Sequence, residues 1–126
     1  MKTYKKPVVT VDAGMAEGVY AASGAKGTLN VSYYGVWDRW GTNGGKGLAQ
    51  ADWSGINGTI TLNITFNDTL EQVETDDASV QESWSGKTAT LTFASTATNP
   101  LTIGVHIDHG VSIDDLRMTG FTYSVN

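Results

Sequence analysis

Tyr33, Tyr34, Trp37, Trp40, Trp53 and Trp84 carry the densest potential chemistry in this sequence. All but Trp84 fall within about twenty residues, beside Asp38, Arg39, Asn43 and Asp52. A sugar ring has an apolar C–H face and polar hydroxyl edges. Trp and Tyr combine a broad apolar face with a polar handle, which suits both. Trp40, set between Arg39 and Gly41, is the one of the set first expected to be exposed. A ligand contact built from Trp40, Tyr34 and Trp53, with Asp38, Arg39 and Asn43 as polar neighbours, is therefore one expectation. The other is that these aromatics fill a core or a subunit contact, since large aromatics are usually well buried.

His106, Asp108 and His109 offer a second chemistry, with Asp114 and Asp115 downstream. Two imidazoles with carboxylates suit zinc or nickel. No third spaced histidine exists, and a turn at Gly110 accounts for His109, so no metal is expected. Asp76-Asp77 and Asn67-Asp68 carry the oxygen ligands that calcium takes. Neither fits the twelve-residue calcium loop, and turns favour Asx residues at such places. Asp38 and Asp52 flank the aromatic region, but nothing in their spacing forces the facing geometry of glycoside hydrolysis. No Ser-His-Asp order and no phosphate-binding glycine loop is present. The expectation is a protein that is not an enzyme and needs no cofactor.

Composition narrows the classes further. The chain has 126 residues, room for one domain with a real core. Its formal charge of −5 argues against a general nucleic-acid binder, which needs clustered Lys and Arg. Cysteine is absent, which excludes disulfides, thiolate catalysis and zinc–thiolate sites. No apolar run approaches the roughly 18 residues of a membrane span. The run Pro7–Val11 stops at Asp12, short of a secretory apolar region of about 7–15 residues. An extracellular or cell-surface location without a conventional signal peptide is the expectation.

The elements that must position these residues are strands. In Thr59–Phe66, Ile60, Leu62, Ile64 and Phe66 alternate with Thr59, Thr61, Asn63 and Thr65. Thr88–Phe93 and Leu101–Ile107 repeat the pattern. Side chains alternate across a strand, so each run is half-buried with one wet face. Leu29–Trp37 reads as another strand, with Leu29, Val31, Tyr33 and Trp37 inward and Tyr34 and Val36 outward. Asp38–Gly47 reads as a loop. Shorter strands are expected over Thr69–Glu74 and Ala78–Trp84, the start of a further strand is expected over Leu48–Trp53, and Phe121–Val125 is expected as the closing strand. Val111–Leu116 is ambiguous. About eight strands at turn-punctuated spacing make an all-β antiparallel sandwich, immunoglobulin-like or jelly-roll-like. Residues 1–27 are expected to be an N-terminal arm or leader-like segment, and residues 28–126 the sandwich domain.

Two resemblances add to this. Lys6–Val9 and Ala16–Gly24 resemble the N-termini of small uncharacterised proteins of gut Clostridia, which implies a shared export or processing tag. Ser85–Phe93, Asn99-Pro100-Leu101 and Ile103-Gly104-Val105, with Trp53–Phe66 upstream, resemble a cellulose-binding type of carbohydrate-binding module. That resemblance covers about half the chain and implies a sandwich and a glycan ligand. Two functions are thus expected. One is a non-catalytic module binding a polysaccharide or other glycan through exposed aromatics. The alternative is a self-associating surface or filament subunit, a homo-oligomer, whose strand Thr3–Val11 joins a neighbour's sheet edge.

Overall fold

The computed structural model describes residues 27–126, and eight strands lie among them. They are β1 (Thr28–Arg39), β2 (Gly45–Ser54), β3 (Thr59–Phe66), β4 (Gln72–Thr75), β5 (Gln81–Ser85), β6 (Thr88–Ala94), β7 (Leu101–Ile107) and β8 (Met118–Val125). They form two four-stranded sheets, β1-β2-β7-β4 and β5-β6-β3-β8, with every strand pair antiparallel. The expected arm, the strand over Thr3–Val11 and the leader-like stretch fall outside the described residues. The seventh strand, rather than the fifth, stands beside the second, so the order departs from that of an immunoglobulin constant domain.

Alternation builds the core. Ile60, Leu62, Ile64 and Phe66 of β3 are buried, as are Ala89, Leu91 and Phe93 of β6. They share one apolar cluster with Val31, Ala49, Ala51, Leu101, Ile103, Val105 and Ile107 of the facing sheet. Tyr33 meets Phe66 edge-on across the gap, with ring centroids 5.8 Å apart. The other face of the β3 sheet carries hydroxyls and amides: Thr61, Asn63, Thr88, Thr90, Thr92 and Ser124 are half-buried there. Thr90 donates its hydroxyl hydrogen to Asn63 Oδ1 at 2.8 Å.

Several elements differ from the sequence expectation. The strand expected over Thr69–Glu74 is shortened to Gln72–Thr75, and that over Ala78–Trp84 is shifted to Gln81–Ser85. The ambiguous stretch holds a single 3-10 turn, Ile113–Asp115, capped by the Ser112 side chain. The strand start at Leu48–Trp53 is a full strand from Gly45, and β1 runs on to Arg39, so the loop contracts to residues 40–44. Its last residue is tied down where Gly44 donates its backbone N–H to the Val111 carbonyl at 2.7 Å.

The largest difference lies inside β1. Tyr33 pairs with Ala49 and Gly35 with Leu48, so Tyr34 is an extra residue. A second extra residue, Trp37, sits between the Val36–Gly47 and Asp38–Lys46 pairs. A bulge puts two residues opposite one, bends the strand and moves the following side chains to the other face. Gly35 takes φ +99°, which an L side chain rarely adopts. Beyond it the parity is inverted. Val36 packs against the core, and Trp37, expected inward, faces solvent with 47% exposure.

Leu62 sits at the middle of β3, opposite Leu91 on one side and Tyr123 on the other, and is fully buried. Leu62→Ala should cost about 2–5 kcal/mol of stability. Urea unfolding checks this, and a loss within experimental error would show that the sheets do not close over this position.

Candidate functional site

The strand order brings the outward side chains of β1, β2, β7 and β4 onto one face. Across it, Lys46 lies opposite His106, and His106 opposite Gln72. One step along, Leu48 lies opposite Gly104, and Gly104 opposite Glu74. A further step places Ser32, Gln50 and Thr102 in line. Over this face stand Tyr34, Trp37 and Trp40, with 62%, 47% and 38% of their surface exposed.

Each ring is held differently. Tyr34 directs its hydroxyl at Gln50 Oε1, 3.5 Å away. Trp40 donates its indole N–H to Asp38 Oδ2 at 3.2 Å and lies edge-on against His106, with ring centroids 5.2 Å apart. This cover explains why His106, on an outward position, is buried. Trp37 settles over Gly104. A Cβ there would come within 3.2 Å of the Trp37 ring, 3.0 Å of Lys46 Cδ and 3.1 Å of Glu74 Cγ. The missing side chain is what lets three residues converge on the sheet. Trp37, Glu74, Thr75, Asp76, Thr102 and Gly104 enclose a notch of about 60 Å³.

The electrostatics of the face centre on Glu74. Lys46 Nζ donates to Glu74 Oε2 at 2.8 Å and stands 4.5 Å from the centre of the Trp37 ring, in cation–π contact. The Lys46 hydrogen bond holds the Glu74 carboxyl below its ordinary range, with His106 adding to the effect. His106 Nε2 lies 3.3 Å from Glu74 Oε1 but makes no hydrogen bond.

Of the residues expected to form a ligand contact, the fold brings Tyr34, Asp38 and Trp40 to this face. Arg39 turns to Asp114, to which Nε and Nη2 donate at 3.3 and 2.5 Å. That contact raises the Arg39 pKa and lowers the Asp114 pKa. Asn43 is exposed in the loop after β1. Trp53 is a correction. It is 7% exposed, stacked at a tilt on Phe93 at 5.0 Å, with its indole N–H given to the Ser95 carbonyl at 2.9 Å. It belongs to the core because it shares β2's inward parity with Ala49 and Ala51. Trp84 is exposed but lies on β5, in the other sheet.

Sequence reasoning passed over Trp37, Lys46 and Glu74. Two signals pointed to them: an isolated glycine inside a strand pattern marks a bulge or a close backbone approach, and Gly35 and Gly104 are such glycines.

The remaining candidates have other duties. Asp38 and Asp52 flank opposite ends of β2, beside Lys46 and Asn30 respectively. Six residues of strand separate those positions, roughly 20 Å at ~3.3 Å per residue, far beyond an acid–base pair of a glycosidase at about 5–10 Å. His109 has left His106 and sits between Glu71 and Asp68, its Nδ1 2.9 Å from Glu71 Oε2 and its Nε2 3.0 Å from Asp68 Oδ1. Among the described residues no group of three or more His, Asp or Glu is arranged to hold a metal ion. Asp77 accepts from the Thr98 and Ser79 backbone amides and from the Ser79 hydroxyl, which depress its pKa strongly. Asn67 accepts from the Arg117 backbone N–H at 2.7 Å and donates to the Asp115 carbonyl. These Asx residues fasten turns.

The architecture is that of an antiparallel β-sandwich with an aromatic-bearing face, and among the described residues no helix is long and apolar enough to cross a membrane. Comparison with protein-family models, with curated proteins and with solved structures gave no match.

Two outcomes follow from this geometry. Gly104→Val should lift Trp37 off the sheet and increase acrylamide quenching of tryptophan emission, with cooperative unfolding retained; unchanged quenching would mean Trp37 is not seated by Gly104. Hydrogen bonds to Glu71 and then Asp68 raise the His109 pKa above its ordinary value. A group raised in the folded state contributes stability that is complete below its unfolded value, ~6.5, and fades as pH rises through the folded value. Thermal melting of wild type and His109→Gln should therefore differ most at pH 5.5 and converge towards pH 9. A gap independent of pH would overturn the charged bridge.

Proposed function

We propose that this chain is a non-catalytic glycan-binding module whose site is the outer face of the β1-β2-β7-β4 sheet. The observation that carries this is the exposure of Tyr34, Trp37 and Trp40 on that face beside hydrogen-bonding side chains. Three large aromatics at a surface are costly to hydrate and offer planes on which the C–H faces of sugars can stack. Gln50, Thr102, Glu74 and Asp38 supply donors and acceptors for hydroxyl edges. The rings are held in place before a ligand arrives, by Gln50, by Gly104 with Lys46, and by His106 with Asp38. Such preorganisation reduces the entropic cost of binding.

Trp53, being in the core, is not part of this site. Tyr34, Trp40, Asp38 and the missed Trp37 form its centre, with Arg39 and Asn43 at the margin. The alternative of self-association through Thr3–Val11 rests on residues outside the described ones.

Isothermal titration against soluble polysaccharides tests the proposal. Trp37→Ala and Trp40→Ala should each weaken binding about tenfold or more, as truncated aromatic hot spots do. Trp84→Ala, on the other sheet, should leave it within about twofold. Equal effects of all three, or no binding to any glycan by the wild type, would sink the assignment.

A further inference from the structure

We infer that Glu74 acts as a charge filter on this platform, so that it takes uncharged sugar chains and turns away those bearing carboxylate, sulfate or phosphate. The inference rests on the glycan-binding proposal above and names the ligand class of the same site.

An anionic sugar chain needs cations that are free to pair with it. Of the eight lysines and arginines in the chain, four lie among the described residues: Arg39, Lys46, Lys87 and Arg117. Lys87 lies in the turn between β5 and β6, on the other sheet. Arg117 gives its Nη1 to the Asp114 and Leu116 carbonyls at 2.6 and 2.9 Å. Among the described residues that leaves Arg39 and Lys46. Arg39 is engaged by both oxygens of Asp114. Lys46 is the one in the middle of the face, and Glu74 takes it.

Glu74 is well placed to hold that role. Its side chain is fixed at the notch by Lys46 on one oxygen and faces His106 with the other. The Lys46 side chain is only 21% exposed. An incoming anion would have to displace Glu74 from Lys46 and then sit against its carboxylate and that of Asp76 in the notch wall. Like charges at that range repel. A neutral chain meets no such opposition. Its hydroxyls can donate to Glu74 and Asp76, both acceptors when ionised. The aromatic planes serve either ligand class equally, so the selection falls to the ion pair.

The filter can be reversed by one isosteric change. Glu74→Gln keeps the shape, removes the negative charge and releases Lys46. The experiment titrates wild type, Glu74→Gln and the double variant Lys46→Gln/Glu74→Gln with a neutral soluble glucan and with polygalacturonate at low and moderate salt. The wild type should bind the neutral chain with little salt dependence and polygalacturonate at least about tenfold more weakly. Glu74→Gln should raise polygalacturonate affinity relative to neutral-glucan affinity by about fivefold or more, the scale of one exposed ion pair. That gain should vanish in the double variant and on adding salt. Polygalacturonate binding by the wild type as tight as neutral binding would overturn the filter and leave the glycan platform standing. No gain in Glu74→Gln, or a gain that survives loss of Lys46, would also overturn it. Failure of the wild type to bind either polymer would overturn the platform itself.

Discussion

Ile60, Leu62 and Ile64 from one sheet and Leu101, Ile103 and Val105 from the other share a single dry core, and this contact between inner faces governs everything else in the molecule. Each strand must keep its apolar side chains on that side, because a one-residue slip would turn them all to water. Once the inner faces are committed, chemistry is confined to outer faces and loops. The two outer faces then differ. One is a lattice of Thr, Ser and Asn side chains. The other carries aromatics, one buried imidazole and an ion pair.

That second face is the product of a local break in the rule. β1 must both close the core through Leu29 and Val31 and present rings to water. Continuous alternation cannot do both with the side chains it has after Tyr33. The extra residue at Tyr34 resolves the conflict. It points outward itself, reverses the parity behind it, sends Val36 to the core and brings Trp37 out. Edge strands tolerate such bulges because only one side is hydrogen-bonded, and a bulge also discourages pairing with another chain.

The charged groups on the face are paired before any ligand arrives. Lys46 and Glu74 satisfy one another, Asp38 takes the Trp40 indole, and Arg39 and Asp114 close the loop side. Surface ion pairs contribute little to stability. Their consequence here is chemical: the pairing decides which charges remain to meet a ligand, and it orients the rings that would stack on one. Gly104 allows this crowding, since any side chain there would occupy the space shared by Trp37, Lys46 and Glu74.

Much of the fold was legible in the residues alone. The period-two runs of β3, β6 and β7 named their buried sides, because burial on a strand depends only on parity and on which residues are apolar. The sandwich followed from many such runs with turns between them, and Trp40 was recognised as exposed from its place beside Gly41. The site was legible only in part. Trp53 was misplaced because an aromatic near a loop carries no parity of its own until the strand's start at Gly45 is known. Trp37 was misplaced because a bulge is a property of two strands: it exists only where Tyr33 pairs with Ala49 and Gly35 with Leu48. Lys46, Glu74 and Gly104 lie far apart along the chain, and only the order β2-β7-β4 puts them side by side. Local alternation is written in consecutive residues. The meeting of three strands is written in how the core closes, and that was decided by the tertiary structure.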